Sequence, residues 1–243
     1  MPRMRLDKLL AHLNCGSRKE VQAMIRAGRV QVNGAVERDP AAKVDSDSAQ
    51  VMLDGQAQMY QAQRYYMLNK PAGVITASRD ARHDTVLDLF PEDIRRGLFA
   101  VGRLDKDTEG LLIVTDDGAL SHALMSPSRH VYKVYEATVE GELAPDAEAR
   151  FEKGQTLKDG TVCLPARLER LAEDDAQRVR VTLREGKYHQ VKRMIAAVGG
   201  VVVQLRRVQL GSLPLDSALK EGEFRALTDQ ELALLQQPSQ ESI

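Results

Sequence analysis

The stretch Gly-Arg-Leu-Asp-Lys-Asp-Thr-Glu at residues 102–109 runs directly into the apolar segment Gly-Leu-Leu-Ile-Val-Thr at 110–115. The apolar segment predicts a short buried strand. Asp105 stands just before this strand, between Arg103 and Lys106. A carboxylate at a strand edge and beside positive charge stays ionised and open to a substrate. The stretch therefore predicts a functional site at the beginning of a strand, with Asp105 at its centre.

Other segments predict the secondary structure around this strand. Alternation of apolar and polar residues predicts a strand at 133–139, and further strands are predicted at 178–183 and 201–205. Residues 65–75 are expected to form a strand that runs into a Lys-Pro-x-Gly turn and out again. Helices are predicted near 119–125, at 190–198 and after the capping box of Thr228 and Glu231. Several strands linked by turns, with few helices, predict the α+β class with a largely antiparallel sheet.

The first residues of the chain predict a separate small module. One face of a first helix is apolar, with leucines at positions 6, 9, 10 and 13. Asn14–Gly16 interrupts this helix, and Ser17 with Glu20 forms a capping box that begins a second one. Gly28 is placed to end the second helix, and Arg29–Gly34 alternates as a strand. The module is thus expected to be rich in helix.

Positive charge is concentrated in two places, although the 243-residue chain has a formal net charge of only −1. Residues 1–38 hold eight Arg or Lys against three acids, and residues 184–207 hold six against one. Two basic patches on a neutral chain indicate binding to a polyanion, whereas solvated surface charge is the alternative interpretation.

The two cysteines, Cys15 and Cys163, lie far apart and match no metal-ligand spacing. We therefore expect no metal site and no disulfide framework, which fits a cytoplasmic protein. No apolar run approaches the ~18 residues of a membrane span, and the N-terminus does not resemble a secretory signal. Nothing in the sequence indicates an obligate oligomer, so a monomer is expected.

The order Gly-Arg-Leu-Asp followed by Thr-Glu-Gly-Leu-Leu resembles the catalytic motif of the pseudouridine synthases that modify ribosomal RNA. The resemblance covers nearly all of residues 64–235, where Asn69-Lys-Pro-x-Gly73 opens the matching domain. It implies a mixed sheet with a central cleft and the isomerisation of uridine to pseudouridine. That reaction breaks the N1–C1′ bond, turns the uracil and rejoins it through C5, and it implies neither a metal nor an organic cofactor.

The resemblance also implies roles for individual side chains. Asp105 matches the single required Asp, which either attacks the substrate or moves a proton. Lys192 matches the cation that faces this Asp, because burial of a carboxylate otherwise favours its neutral form. Tyr135 matches the Tyr on which the flipped base stacks. Arg193 is expected to contact phosphate, and Arg103 to grip phosphate or fill the space that the base leaves.

Each of these residues also has a structural interpretation. Lys192 and Arg193 would lie on the solvated side of a helix, Tyr135 would be a core residue, and Arg103 would pair with Asp107 or Glu109.

Four aspartates allow another functional interpretation. Asp116 and Asp117, with Asp105 and Asp107, would hold two metal ions in a nuclease. Asp116-Asp117-Gly118 is equally a good turn after a strand.

The front module resembles the S4-type RNA-binding domain, through Arg5–Lys8, Ser17–Glu20, Ile25–Val30 and Val32–Gly34. This resemblance implies that its cations contact structured RNA, namely Arg5, Lys8, Arg18, Lys19, Arg26 and Arg29. We expect an RNA-binding domain at 1–60 and a catalytic domain at 64–243, with a linker near 57–63.

The detailed resemblance is to the small-subunit branch of these synthases, through Thr115–Gly118, Ser121-His122, Ser126-Pro127 and Glu185–Met194. It implies small-subunit (16S) ribosomal RNA as the partner, either naked or within an assembling particle. Sister enzymes that act on large-subunit RNA share the same modules. A non-catalytic RNA-binding assembly factor and a metal-dependent nuclease are the other functions that the sequence leaves open.

Overall fold

The computed structural model describes residues 3–13, 15–45, 49–58, 63–126, 129–171 and 177–237. The chain divides into two compact units, Met1–Gln63 and Arg64–Ile243. Some residues used in the sequence analysis lie outside the described residues. They are Asn14, residues 59–62 of the expected linker and Pro127.

The described part of the front unit consists of β1 (Arg3–Arg5), α1 (Leu6–His12), α2 (Arg18–Arg26), β2 (Val30–Val32), β3 (Ala35–Glu37), β4 (Lys43–Asp45), β5 (Val51–Leu53) and β6 (Gln56–Gln58). Strands β3, β2, β5 and β6 form one antiparallel sheet in that order, and β1 pairs with β4. The unit therefore contains more strands than the sequence predicts, because strands of three residues are too short for alternation to be recognised.

The two predicted helices of this unit are confirmed. The side chain of Ser17 accepts a hydrogen bond from the N–H of Glu20, and the Glu20 carboxylate accepts one from the N–H of Ser17 at 2.7 Å. Gly28 follows the second helix with a positive φ of 74°, as expected for a C-terminal stop. Leucines 6, 9 and 10 of α1 are buried in one cluster with Val21 and Ile25 of α2.

The described part of the second unit consists of β7 (Tyr65–Lys70), α3 (Glu92–Arg95), β8 (Phe99–Ala100), β9 (Thr108–Thr115), α4 (Gly118–Met125), β10 (Lys133–Glu140), α5 (Ala147–Lys153), β11 (Gln155–Thr156), β12 (Val162–Cys163), β13 (Arg167–Leu171), β14 (Gln177–Leu183), α6 (Gln190–Ala197), β15 (Val201–Leu210), β16 (Leu213–Pro214), β17 (Phe224–Ala226) and α7 (Asp229–Gln236). Its main sheet has the order β13-β14-β10-β15-β9-β7-β17, with β8 added to β9 and β16 to β15.

Among the described strands of this sheet, the pairing of β9 with β15 is parallel and the others are antiparallel. The expected α+β class with a mainly antiparallel sheet is confirmed. Neighbouring residues of β9 face opposite sides, so Leu112 lies in the core cluster with α5 and α6, and Leu111 in the cluster with α4 and α7. Helices therefore cover both faces of the sheet.

The parallel contact between β9 and β15 depends on Gly110. Gly110 has a φ of +97°, and a Cβ built there would lie 2.3 Å from the carbonyl oxygen of Arg207. Only glycine satisfies both conditions. The side chain of Arg207 is buried, and its Nε donates to the carbonyl of Leu111 at 2.8 Å. These contacts fix the strand that follows Asp105 against β15.

An ion pair joins α7 to the edge strand β17 and gives the fold a testable pH dependence. The guanidinium of Arg225 donates to both carboxylate oxygens of Glu231, at 2.6 and 2.9 Å. Mainly because of this hydrogen bonding, the pKa of Glu231 is lowered from 4.5 to about 2. The folded state thus binds the proton less tightly than the unfolded state, so the stabilisation is complete above about pH 4.5 and is lost as the pH falls towards 2.

We expect Glu231→Gln to lower the free energy of unfolding by about 1–2 kcal/mol at pH 7, since the pair is partly solvated. The difference from the unsubstituted protein should shrink between pH 4.5 and 2, the interval set by the two pKa values. Urea unfolding followed by circular dichroism at several pH values measures this difference. A difference in the free energy of unfolding that stays constant down to pH 2 would contradict a stabilising role of the Arg225–Glu231 ion pair.

Candidate active site

Asp105 lies in the loop between β8 and β9, and its side chain is 33% exposed. The backbone just before it is fixed by Thr76. The hydroxyl of Thr76 donates to the carbonyl of Leu104 at 2.8 Å and accepts from the N–H of Leu104 at 3.1 Å. The N–H of Gly73 donates to the carbonyl of Lys106 at 2.8 Å on the other side of Asp105. The segment after β7 therefore holds the Asp105 loop in place.

Lys70, the last residue of β7, is completely buried beneath this loop. Its Nζ donates to three backbone carbonyls, those of Thr108 at 2.8 Å, Pro71 at 3.0 Å and Lys106 at 3.3 Å. Burial lowers the pKa of Lys70 to about 8, and the nearby carboxylate of Asp107 acts in the opposite direction. The resemblance assigns Asn69-Lys70-Pro71 to the opening of the matching domain, and turn chemistry is its structural interpretation. Neither interpretation indicates that Lys70 is buried.

Two basic side chains face the carboxylate of Asp105. His189 Nε2 lies 3.6 Å from one oxygen, and Lys192 Nζ lies 4.0 Å from the other. The same Nζ lies 2.5 Å from Asp107 Oδ1, and this hydrogen bond lowers the pKa of Asp107. Lys192 is thus near Asp105 but hydrogen-bonded to Asp107. At 3.6 and 4.0 Å neither side chain occupies an oxygen of Asp105, and Lys192 places positive charge near it.

Gln190, the first residue of α6, organises the loop that carries His189. The side chain of Gln190 is buried, donates to Glu185 Oε1 at 2.6 Å and accepts from the N–H of Lys187 at 2.9 Å. His189 itself has the left-handed conformation, with φ 47° and ψ 36°. Such a conformation in a residue other than glycine is maintained by its surroundings and is frequent at functional sites. No role was predicted for Gln190. The signal available in the sequence was a polar residue directly before the apolar face of a predicted helix.

A cavity of about 440 Å³ brings the predicted residues together, and its lining includes Arg103, Asp105, Thr108, Tyr135 and His189. Tyr135 of β10 is only 8% exposed and also belongs to the adjoining core cluster. A second cavity of about 990 Å³ shares Arg103, Asp105 and His189 with the first. The side chain of Asp105 is therefore open to a ligand from both cavities.

The other two predicted cations differ in their surroundings. Arg103 is exposed and lines both cavities. Its suggested ion-pair partners are engaged elsewhere, since Asp107 binds Lys192 and Glu109 accepts from Gln204. Arg193 pairs with Asp159 at 2.5 Å and donates to the carbonyl of Tyr188 at 3.1 Å. Arg103 therefore lies at the site of Asp105. Arg193 instead binds Asp159 and the carbonyl of Tyr188 in the neighbouring loop.

The remaining aspartates have structural roles. Asp116 accepts hydrogen bonds from the backbone and side chain of Arg64, at 2.9 and 2.8 Å. Asp117 caps α4 by accepting from the N–H groups of Ala119 and Leu120. Within the described ranges, no group of three His, Cys, Asp or Glu side chains is arranged to hold a metal ion. Asp117 thus caps α4 and Asp116 binds Arg64, in the short segment that joins β9 to the helix.

The six predicted RNA-binding cations of the front unit form two groups. Arg5 and Arg18 lie 2.9 and 3.5 Å from the buried carboxylate of Asp7, and Arg29 pairs with Asp54. Hydrogen bonding from Arg5 holds the pKa of Asp7 far below its usual range. The other three side chains are simply exposed, namely Lys8, Lys19 and Arg26.

In the part of the chain that the structure describes, no helix has the length and apolar character needed to cross a membrane.

Comparison with known proteins decides the family. Residues 64–197 match the family described as RNA pseudouridylate synthase, and residues 4–49 match the S4 domain. The chain belongs to the RNA pseudouridylate synthase family. The prediction of an RNA-modifying isomerase with an S4-type domain in front, made from the motifs, is confirmed. Its substrate is RNA.

Full-length relatives share both parts of this synthase. The chain is 45% identical to "Uncharacterized RNA pseudouridine synthase YtzG" of Bacillus subtilis, covering 97% of this chain and 99% of the relative. It is 43% identical to "Ribosomal small subunit pseudouridine synthase A" of Escherichia coli, covering 95% and 99%. A crystal structure of a pseudouridylate synthase has 34% identity and a TM-score of 0.68, covering 96% of this chain and 99% of that one.

Proposed function

We propose that this synthase isomerises a uridine of small-subunit ribosomal RNA, with Asp105 as the catalytic residue. The observation that carries the proposal is the cavity in which Asp105 and Tyr135 meet beside His189. The choice of RNA is supported by full-length relatives from Escherichia coli and Yersinia pestis that are named ribosomal small subunit pseudouridine synthase A.

In this reaction the N1–C1′ bond of uridine breaks, a C5–C1′ bond forms, and the proton of C5 is replaced by one on N1. Asp105 would attack the substrate or accept the proton, and its side chain lines the cavity. The ring of Tyr135 would hold the flipped uracil by stacking. His189 and Lys192 would keep Asp105 charged when the RNA excludes water from the cavity.

Mapping of pseudouridine tests this function directly. Small-subunit RNA, large-subunit RNA and an assembling small subunit would each be incubated with the protein or with Asp105→Asn, without added metal. We expect one new pseudouridine in small-subunit RNA, naked or assembled, that the variant does not produce. A new pseudouridine in large-subunit RNA would contradict the proposed target but support the proposed reaction. The absence of any new site would favour a non-catalytic RNA-binding factor.

We further propose that the protein acts as a monomer in the cytoplasm, where a ribosomal substrate would be available. This proposal is supported by the sequence, in which nothing indicates an obligate oligomer. Light scattering of the purified protein, alone and with RNA, measures the number of copies. A stable dimer whose dissociation abolishes activity would contradict this proposal.

The exposed cations of the front unit are expected to contribute affinity rather than chemistry. Replacing Lys8, Lys19 and Arg26 together by Gln should weaken RNA binding and make it less dependent on salt. The slope of the logarithm of the binding constant against the logarithm of the salt concentration should become less steep by about 0.7 for each lost phosphate contact. The turnover rate at saturating RNA should stay within about twofold, because phosphate contacts position the substrate. Binding titrations at several salt concentrations and single-turnover assays measure the two effects.

A triple substitution of exposed cations in the second unit, Arg129, Lys153 and Lys220 to Gln, is the matched control. It removes the same charge from the chain and should leave the salt dependence nearly unchanged. If both triple variants flatten the slope equally, overall charge would explain the binding, and the front unit would have no special role.

A further inference from the structure

Tyr188 is an aromatic side chain left in solvent beside the candidate active site. It is 75% exposed, and its ring stacks on that of His189 with centroids 3.9 Å apart and planes inclined by 17°. His189 in turn lies 3.6 Å from the carboxylate of Asp105. One face of the ring is thus stacked on His189, and the exposed remainder is available to a planar partner such as a nucleobase.

The ring of Tyr188 lies between two cavities. One is the cavity of about 990 Å³ that contains Asp105. The other has about 730 Å³ and is lined by apolar residues, two cations and one acid, namely Leu157, Lys158, Asp159, Arg193, Ala196 and Ala197. Tyr188 is the residue common to these two linings. A strand of RNA that places one nucleotide at Asp105 would therefore have Tyr188 beside the next one.

The backbone around Tyr188 is held in place. The carbonyl of Tyr188 accepts a hydrogen bond from Arg193 at 3.1 Å, and Arg193 is itself fixed by its ion pair with Asp159 at 2.5 Å. Lys187, just before it, donates to the carbonyl of Val162. An aromatic group fixed before the ligand arrives loses little conformational entropy on binding.

We propose that Tyr188 is the stacking platform for the RNA base adjacent to the target uridine. When the target leaves its stack, the adjacent base loses one stacking partner, and an aromatic ring at the entrance of the cavity replaces it. Lys158 supplies positive charge for the phosphate on that side, whereas Arg193 is paired with Asp159. This inference rests on the proposed function and adds a second base contact to it.

The test uses an RNA oligonucleotide centred on the mapped uridine, with 2-aminopurine at the position on its 5′ or 3′ side. Fluorescence and affinity are measured with the Asp105→Asn protein, so that the RNA stays unmodified, carrying in addition Tyr188→Ala, Tyr188→Phe or Val201→Ala. Val201 is exposed on β15 and serves as the control. Stacking on Tyr188 should quench one of the two labelled RNAs.

We expect Tyr188→Ala to abolish this quenching and to weaken binding roughly 5- to 150-fold. Tyr188→Phe keeps the ring and should retain both properties, as should Val201→Ala. Unchanged quenching with Tyr188→Ala would overturn the inference, and so would a full loss with Tyr188→Phe, which would assign the effect to the hydroxyl. If the unsubstituted protein does not isomerise the unlabelled RNA, the proposed function fails. If it does and Tyr188→Ala changes nothing, this inference alone fails.

Discussion

Replacement of Asp105 by Asn is expected to abolish isomerisation and to leave the folded protein and its affinity for RNA intact. The amide can neither attack the substrate nor accept a proton, so we expect the rate to fall by about 10⁴-fold or more. Stability should change little, because the carboxylate contacts His189 and Lys192 only at 3.6 and 4.0 Å. Single-turnover formation of pseudouridine and a filter-binding titration measure the two effects separately.

Asp107→Asn is the matched control for this prediction. It removes the same charge two residues further on, from a side chain that is 72% exposed, and it weakens the hydrogen bond from Lys192, because an amide oxygen accepts but carries no charge. Lys192 would then be free to move closer to Asp105, so we expect activity to stay within about tenfold. Loss of activity in Asp107→Asn together with retained activity in Asp105→Asn would move the catalytic role to Asp107.

Replacement of Tyr135 by Leu is expected to give the second largest effect, a decrease of about 10²-fold in the rate at saturating RNA. The ring lines the cavity of Asp105, and loss of a base-stacking face costs about 1–3 kcal/mol. Tyr135→Phe keeps the ring and should stay within about tenfold of the unsubstituted protein. Single-turnover rates at saturating protein give the comparison.

Tyr135 is also a core residue, so loss of stability has to be separated from loss of stacking. Val181 of β14 lies opposite Tyr135 in the sheet and is completely buried. Val181→Ala should therefore lower the thermal unfolding temperature by several degrees without a comparable loss of rate. An equal loss of rate in Val181→Ala and Tyr135→Leu would mean that Tyr135 acts only through the stability of the fold.

Local signals were sufficient to predict much of the secondary structure. The capping box of Thr228 and Glu231 is formed by the chain at the beginning of α7, as the sequence predicts. The sequence analysis did not predict α5, since only Ala147 and Phe151 of its seven residues are buried. It also ended the strand of β15 at residue 205, whereas the strand continues to Leu210. Arg207 explains this difference, because a buried charged residue interrupts the apolar pattern.

The candidate site was predicted in part, because a sequence motif identifies residues but not their partners. Asp105 and Tyr135 line one cavity, and their assigned roles remain predictions. The division of Lys192 between two aspartates depends on distances of 2.5 and 4.0 Å that no spacing in the sequence encodes. Lys70 and Gln190 act through buried hydrogen bonds to loops, which become visible only when the loops are placed.

The central position of β15 has a consequence for when the enzyme becomes competent during its own synthesis. The loop of Asp105 belongs to β9 and Tyr135 belongs to β10, two strands that follow each other in the chain but lie on either side of β15 in the sheet. A nascent chain therefore carries the two side chains on unconnected halves until residues 201–210 have left the ribosome. We expect such a chain to remain inert towards the RNA of the ribosome that is making it until β15 has joined the sheet.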